Sequence, residues 1–196
     1  LLLADLSGAN LHMASLMGAN LSGANLDLAN LSRANLQMAR LMGASLRVAD
    51  LPASDLVGAD LSGADLQEAR LISANLSLSI LTAANLHKAN LSFASLDRSN
   101  LALTDLSGSI IRKSSLRGVN LSGANMAGAD LSDSDLSGGG FSGLSDLRRA
   151  NFVGARLVGV NLTEANLVGA NVRRIDLTGA NTTDVIYEDA RLDIQD

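Results

Sequence analysis

The sequence has no cysteine and no tryptophan, and it holds one proline, one tyrosine and three phenylalanines. Without cysteine there is no disulfide framework and no thiolate metal site, and the redox compartment stays open. Aromatics make up 2% of a chain that is 47% hydrophobic, whereas an ordinary globular core uses more of them. A basic excess is also missing. Fifteen Lys and Arg stand against twenty Asp and Glu, a net charge of −5, which argues against direct nucleic-acid binding. No apolar run approaches the roughly 18–20 residues of a membrane span, because a polar residue interrupts nearly every third position. The opening, LLLADLSGAN, has neither an initiator Met nor a basic, cleavable leader, and it begins in mid-pattern, as a piece of a longer chain would. What remains is a core of leucine and alanine, which implies many copies of one small packing unit.

That unit is five residues long. In ANLSGANLDLANLSRANL, residues 19–36, Ala, Asn and Leu return at the same three steps of every five. With the central Leu called i, centres run unbroken from Leu6 to Phe141, slip by one residue, and resume from Leu147 to Leu192. Of these 38 centres, 31 are Leu, and position i−2 is Ala in 25 units. Position i−1 is mostly Asn, Asp, Ser or Arg, and Ser-Gly is the commonest pair at i+1 and i+2.

Neither regular element counts in fives. On an α-helix, steps of five residues rotate the centres by about 140° net, so the Leu would spray around the axis. In a flat strand an odd period alternates faces. A chain that turns a corner in every unit satisfies the pattern. Large i and small i−2 then point to one axis, and four corners close a square coil of twenty residues. Each coil stacks on the next at about 4.8 Å, with residue i over residue i+20. Ala at i−2 follows from a narrow bore that a larger side chain would overpack.

The motif A(N/D)LSG, as at 19–23 and 59–63, resembles the pentapeptide-repeat proteins. The resemblance covers essentially the whole chain and implies an all-β fold, a right-handed quadrilateral β-helix of about nine to ten coils. The missing catalytic chemistry and the regular walls point to a non-enzymatic rod that presents its faces to a protein partner or to itself, with no cofactor. Some family members pair through their C-terminal ends. Others resemble a DNA duplex in shape and charge and bind type II topoisomerases such as DNA gyrase. Duplex mimicry on a rod of roughly 45 Å calls for about 26 negative charges at one per 1.7 Å. The net charge here is −5, and the i−1 columns mix Asp with Asn, as in Asp5, Asn25, Ser45, Asp65. The Leu-rich centres look more like repeats abundant in cyanobacteria than like the Phe-rich topoisomerase-protecting branch.

The expected domain is a single solenoid over 1–196. Regular coils occupy 1–141, a register slip or loop 138–146, and resumed coils 147–181. A C-terminal cap over 182–196 hides the last apolar layer, where Thr182 and Tyr187 replace Leu. The slip region SGGGFSGLSDLRR contains Gly138, Gly140 and Gly143 at GxGxxG spacing, but no strand–helix unit surrounds it. It reads as a bulge at one corner, with Phe141 still in the bore.

Raw material for catalysis is thin. His12 and His87 lie nearly four coils apart, too far to share a metal. Asp50, Asp55, Asp60 and Asp65 fall on four successive sides, which separates them as an acid/base set. Outward positions sorted by residue number modulo twenty say more. The column with Leu21, Leu41, Leu61, Leu121 and Phe141 carries Ser-Gly pairs and Met42; its neighbour carries Met17, Met38, Val57 and Leu78. With Tyr187 and Ile194 near the end, these form a candidate surface for a protein partner or a homodimer, the alternative being repeat default with scattered surface apolars. Arg112, Lys113, Arg148, Arg149, Arg173 and Arg174 are expected along one corner region, as a docking patch for an acidic partner or as solvated charge.

Overall fold

A computed structural model of the chain describes residues 1–138 and 143–190. Each five-residue unit has the same local logic. Residues i−2, i−1 and i run extended, with side chains pointing in, out and in. Residues i+1 and i+2 then turn the corner, and the N–H of i+3 donates to the carbonyl of i, as Ala29 does to Leu26 at 3.0 Å. The i+2 residue of every regular corner has φ between about 52° and 69°, the left-handed region that a type II turn needs at its third position.

Between coils the hydrogen bonds are equally regular. The N–H of Leu26 donates to the carbonyl of Ser45, and that of Leu28 to Arg47, while the N–H of Asn25 donates back to Ala4. The i−1 residues pair in parallel, twenty apart, in four columns. Side I carries Asn20, Arg40, Asp60, Ile80 and onward; sides II, III and IV follow from Asp5, Asn10 and Ser15.

One backbone donor per unit is left over, the N–H of i+1. Asn or Asp at i−1 accepts it with its side-chain oxygen, as Asn25 does for Asp27 and Asp60 for Ser62. This accounts for the preference at i−1, since an orphaned amide costs about as much as a lost hydrogen bond. At Ser45 and Ser115 the cap comes from the coil before. Asp27 accepts from the Arg47 N–H and the Ser45 hydroxyl, and Asp97 does the same for Arg117 and Ser115.

The bore holds four stacked columns. From Leu21 through Leu162, every central side chain of the regular coils is at most 2% exposed. Met126, Phe152 and Val172 replace Leu in one column without leaving it. Small hydroxyl residues at i−2 stay buried by donating to backbone: Ser54, Ser79, Ser99 and Thr104 each donate to the carbonyl three residues earlier.

The irregular coil differs from the sequence expectation. Pairs are twenty apart up to Ser115–Asp135, then 26 apart from Asn120–Asp146 to Asp135–Asn161, then twenty again. The insertion is therefore six residues, one whole unit plus one. A five-residue pattern fixes register only modulo five, so one and six look alike in sequence. Leu147 takes the place over Leu121 that the repeat pattern assigns to Phe141, which lies outside the described residues. At the base of the insertion the Ser145 hydroxyl donates to the Ser137 carbonyl at 2.7 Å and accepts from the Gly118 N–H at 3.1 Å.

Candidate interaction surface

The six-residue insertion rotates everything after it by one side relative to a one-residue slip. The expected basic patch is split as a result. Arg112 and Lys113 follow side III, Arg148 and Arg149 follow side I, and Arg173 and Arg174 follow side II. Several are also neutralised. Arg112 pairs with Asp130 at 2.6 Å, and Arg148 grips Asp146 with two hydrogen bonds of 2.8 and 2.7 Å. Partial burial pushes the Asp130 carboxyl up, yet Arg112 and the Ser132 hydroxyl and amide outweigh it and hold its pKa at about 2. Asp146 is lowered by Arg148, and Asp97 by Ser115 and Arg117 against its partial burial. These carboxylates are counter-ions, held charged by their neighbours.

The two histidines occupy separate corners, each bonded to a serine of the next coil: His12 to Ser32 at 2.7 Å and His87 to Ser107 at 2.8 Å. Asp50, Asp55, Asp60 and Asp65 fall on sides III, IV, I and II. No group of three His, Asp or Glu that could hold a metal ion occurs among the described residues. No helix among them is long and apolar enough to cross a membrane.

The apolar candidates are brought together better than the basic ones. Met17, Met38 and Leu78 project from the corner between sides IV and I, 62, 63 and 56% exposed, with Val57 between them. Met42 lies half-buried on the next corner. Between the two corners runs the first part of side I: Asn20, Arg40, Asp60 and Ile80. Ile80 is 42% exposed where the repeat calls for Asn or Asp. It extends the patch, and its break of the i−1 rule was visible in the sequence. Leu103, 66% exposed, continues the second corner.

Tyr187 is 59% exposed at the far end of side I, five rungs beyond Leu81. It belongs to a different feature, an apolar cavity of about 290 Å³ at the C-terminal end of the described bore, which Phe152, Leu167, Val172 and Leu177 also line. Ile194 lies outside the described residues. A larger groove of about 610 Å³ follows the corner between sides IV and I beside the insertion, lined by Leu78, Asp97, Arg98, Arg117 and Asp135.

Comparison with known proteins agrees with this geometry. A family model described as pentapeptide repeats matches in eight copies over residues 1–47, 49–138 and 145–181. Among solved structures the chain is similar to HetL, a pentapeptide repeat protein involved in heterocyst differentiation regulation from the cyanobacterium Nostoc sp. strain PCC 7120. The identity is 34%, over 94% of this chain and 87% of that one, with a TM-score of 0.53. A trypsin-treated form of QnrB1, a plasmid-mediated fluoroquinolone resistance protein, shares the fold at 18% identity over 94% of this chain and 90% of that one, with a TM-score of 0.51. No curated protein matches the chain in sequence.

Proposed function

Because the chain belongs to the pentapeptide-repeat family and folds as a right-handed quadrilateral β-helix, we propose that it works without catalysis, as a rigid rod whose sides are bound by a protein chain. The observation that carries this reading is the apolar patch across the corner between sides IV and I. Met17, Met38, Leu78 and Ile80 are each 42–63% exposed over four successive rungs, while the other exposed apolar side chains, such as Met13, Leu28, Val48, Phe93 and Leu103, are spread over the remaining three corners. Apolar surface gathered in one place marks an interaction site more often than scattered single residues do. The backbone beneath it is tied at every rung, so the surface is preorganised and little ordering cost is incurred on binding.

A duplex-mimicking protector of a type II topoisomerase such as DNA gyrase is the competing reading, supported by the rod shape shared with the fluoroquinolone resistance protein. Against it stand the net charge of −5 and the carboxylates tied up in turn caps and ion pairs.

The test replaces Met38 and Leu78 together by Lys, and in a separate control variant replaces Ala53 and Ser73, exposed on the corner that follows side III, by Lys. Immobilised wild type and the control variant should retain a bound protein, either a cell partner or a second copy, that the Met38→Lys/Leu78→Lys variant loses. Retention indifferent to these variants would remove the reading. Inhibition of supercoiling or protection of gyrase at micromolar protein would move the assignment to the competing one.

A further inference from the structure

The geometry points to a specific occupant for side I: a second copy of this chain, packed antiparallel about a twofold axis that crosses the rod between the rungs of Arg40 and Asp60. This rests on the reading of the rod as a binding surface and names the partner.

The argument begins with a charge pair that stays open. Neighbouring i−1 residues of opposite charge occur at four places in the described ladder: Arg40–Asp60, Asp50–Arg70, Asp130–Arg156 and Arg156–Asp176. The second and third make ion pairs within the chain, at 3.1 and 3.7 Å. Arg40 and Asp60 make none with each other or with any other described residue; Asp60 accepts only from the amide and hydroxyl of Ser62. Both ion pairs have Asp in the earlier coil and Arg in the later one, and the reverse order at Arg40–Asp60 and Arg156–Asp176 makes none. Arg156 is engaged by Asp130, so among the described residues Arg40–Asp60 is the pair with both members open, and it stands in the middle of the exposed apolar patch.

A twofold axis lying across side I, midway between these two rungs, puts Arg40 of each copy opposite Asp60 of the other, twice. Such an axis keeps corner against corner, as an isologous contact requires. On the apolar corner it sets Met38 against Val57 and Met17 against Leu78. On side I it sets Asn20 against Ile80, and on the second corner Met42 against Ser62. Every long side chain meets a different partner, and no like charges meet. Shifting the axis by half a rung onto Asp60 would set Asp60 against itself, so the charge pattern also fixes the register.

The contact spans about four coils, roughly 19 Å of rod, and is at the small end of specific interfaces. Association is therefore weak and is read by sedimentation across about 0.01–1 mM. The wild type is expected to dimerise. Arg40→Asp alone and Asp60→Arg alone each place like charges in the contact and weaken self-association at least tenfold. Mixing the two variants restores a dimer, because the carboxylate introduced in one then faces the guanidinium introduced in the other. Recovery on mixing cannot come from a contact within one chain, and circular dichroism of each variant confirms that the coil is intact. Reversing Arg70 and Asp50 on side III leaves the dimer unchanged. A wild type that stays monomeric at 1 mM, or a dimer indifferent to the charge reversals, overturns the inference. The binding-rod reading survives either result if Met38→Lys/Leu78→Lys abolishes capture of another protein, so the two failures are told apart.

Discussion

At the scale of single residues, the chain tolerates conformations that most folds reserve for glycine. Among the described residues, twenty-two other than glycine sit at positive φ, including the β-branched Val48 at 56°. Left-handed backbone costs an L-residue about 1–2 kcal/mol, so the hydrogen bonds above and below each corner must outweigh that cost repeatedly. Val48 is 49% exposed and has little packing to lose. Val48→Gly should therefore raise unfolding stability by about 0.5–1 kcal/mol, the relieved strain less the extra chain entropy. Gly63 has nothing within 4 Å of an added Cβ, and Gly63→Ala should lower stability by a similar amount through backbone strain alone. Denaturant melts of both variants check this, and opposite signs are required.

The carboxylates make a second prediction at this scale. Asp130 titrates at about 2 in the fold against an ordinary 3.8, so the unfolded chain binds its proton first as the solution is acidified. Its contribution is complete above about pH 4 and is lost as pH falls through about 2. Asp97 and Asp146 are shifted in the same direction. Stability measured from pH 5 down to pH 2 should fall, and Asp130→Asn should flatten part of that fall. A variant with an unchanged slope would show that the Arg112 and Ser132 contacts do not persist in solution.

At the scale of the element, the unit of construction is a coil of twenty residues, and the one exception in the described ladder is a coil of twenty-six. Removing residues 139–144 joins Gly138 directly to Ser145, which already occupies a buried i−2 position ahead of Asp146 and Leu147. The deletion therefore yields a regular coil. The shortened chain should keep its β circular dichroism and melt at or above the wild-type temperature, since a shorter closed loop costs slightly less entropy. Loss of the fold on this deletion would contradict the six-residue register. In the bore, Leu66 is fully buried between like neighbours in its column, and Leu66→Ala should cost about 2–5 kcal/mol because rigid stacked rungs cannot collapse around the hole.

At the scale of the molecule, the described ladder runs nine rungs along side I, a rod of roughly 45 Å with its turns. Interactions along it are between neighbouring coils, so stability accumulates coil by coil and the surface is held in register over its length. The twofold contact lies between the second and third rungs of the described ladder, which sends the coils that follow it in the two copies in opposite directions. Small-angle scattering should accordingly show a maximum dimension above about 60 Å for the dimer, against roughly 45 Å for the isolated rod. A dimer no longer than the monomer would place the contact elsewhere.

How much of this was legible in the sequence follows from what a repeat can encode. The inward places of Leu26 and Ala29, the square coil and the four columns are all set by the side-chain pattern, because only one backbone path buries i and i−2 together every five residues. The placement of Met17, Met38 and Leu78 on one corner followed from the same arithmetic. Three things needed the tertiary structure. The size of the insertion did, because a pattern of fives cannot tell six residues from one; that error scattered the expected basic patch over three corners. The role of Asn and Asp at i−1 did, because it depends on which amide the stacked coils leave unpaired. And the open pair of Arg40 and Asp60 did: the sequence shows Arg before Asp at 40 and 60 and Asp before Arg at 50 and 70, but only the packing of side chains between rungs decides which order is satisfied within the chain.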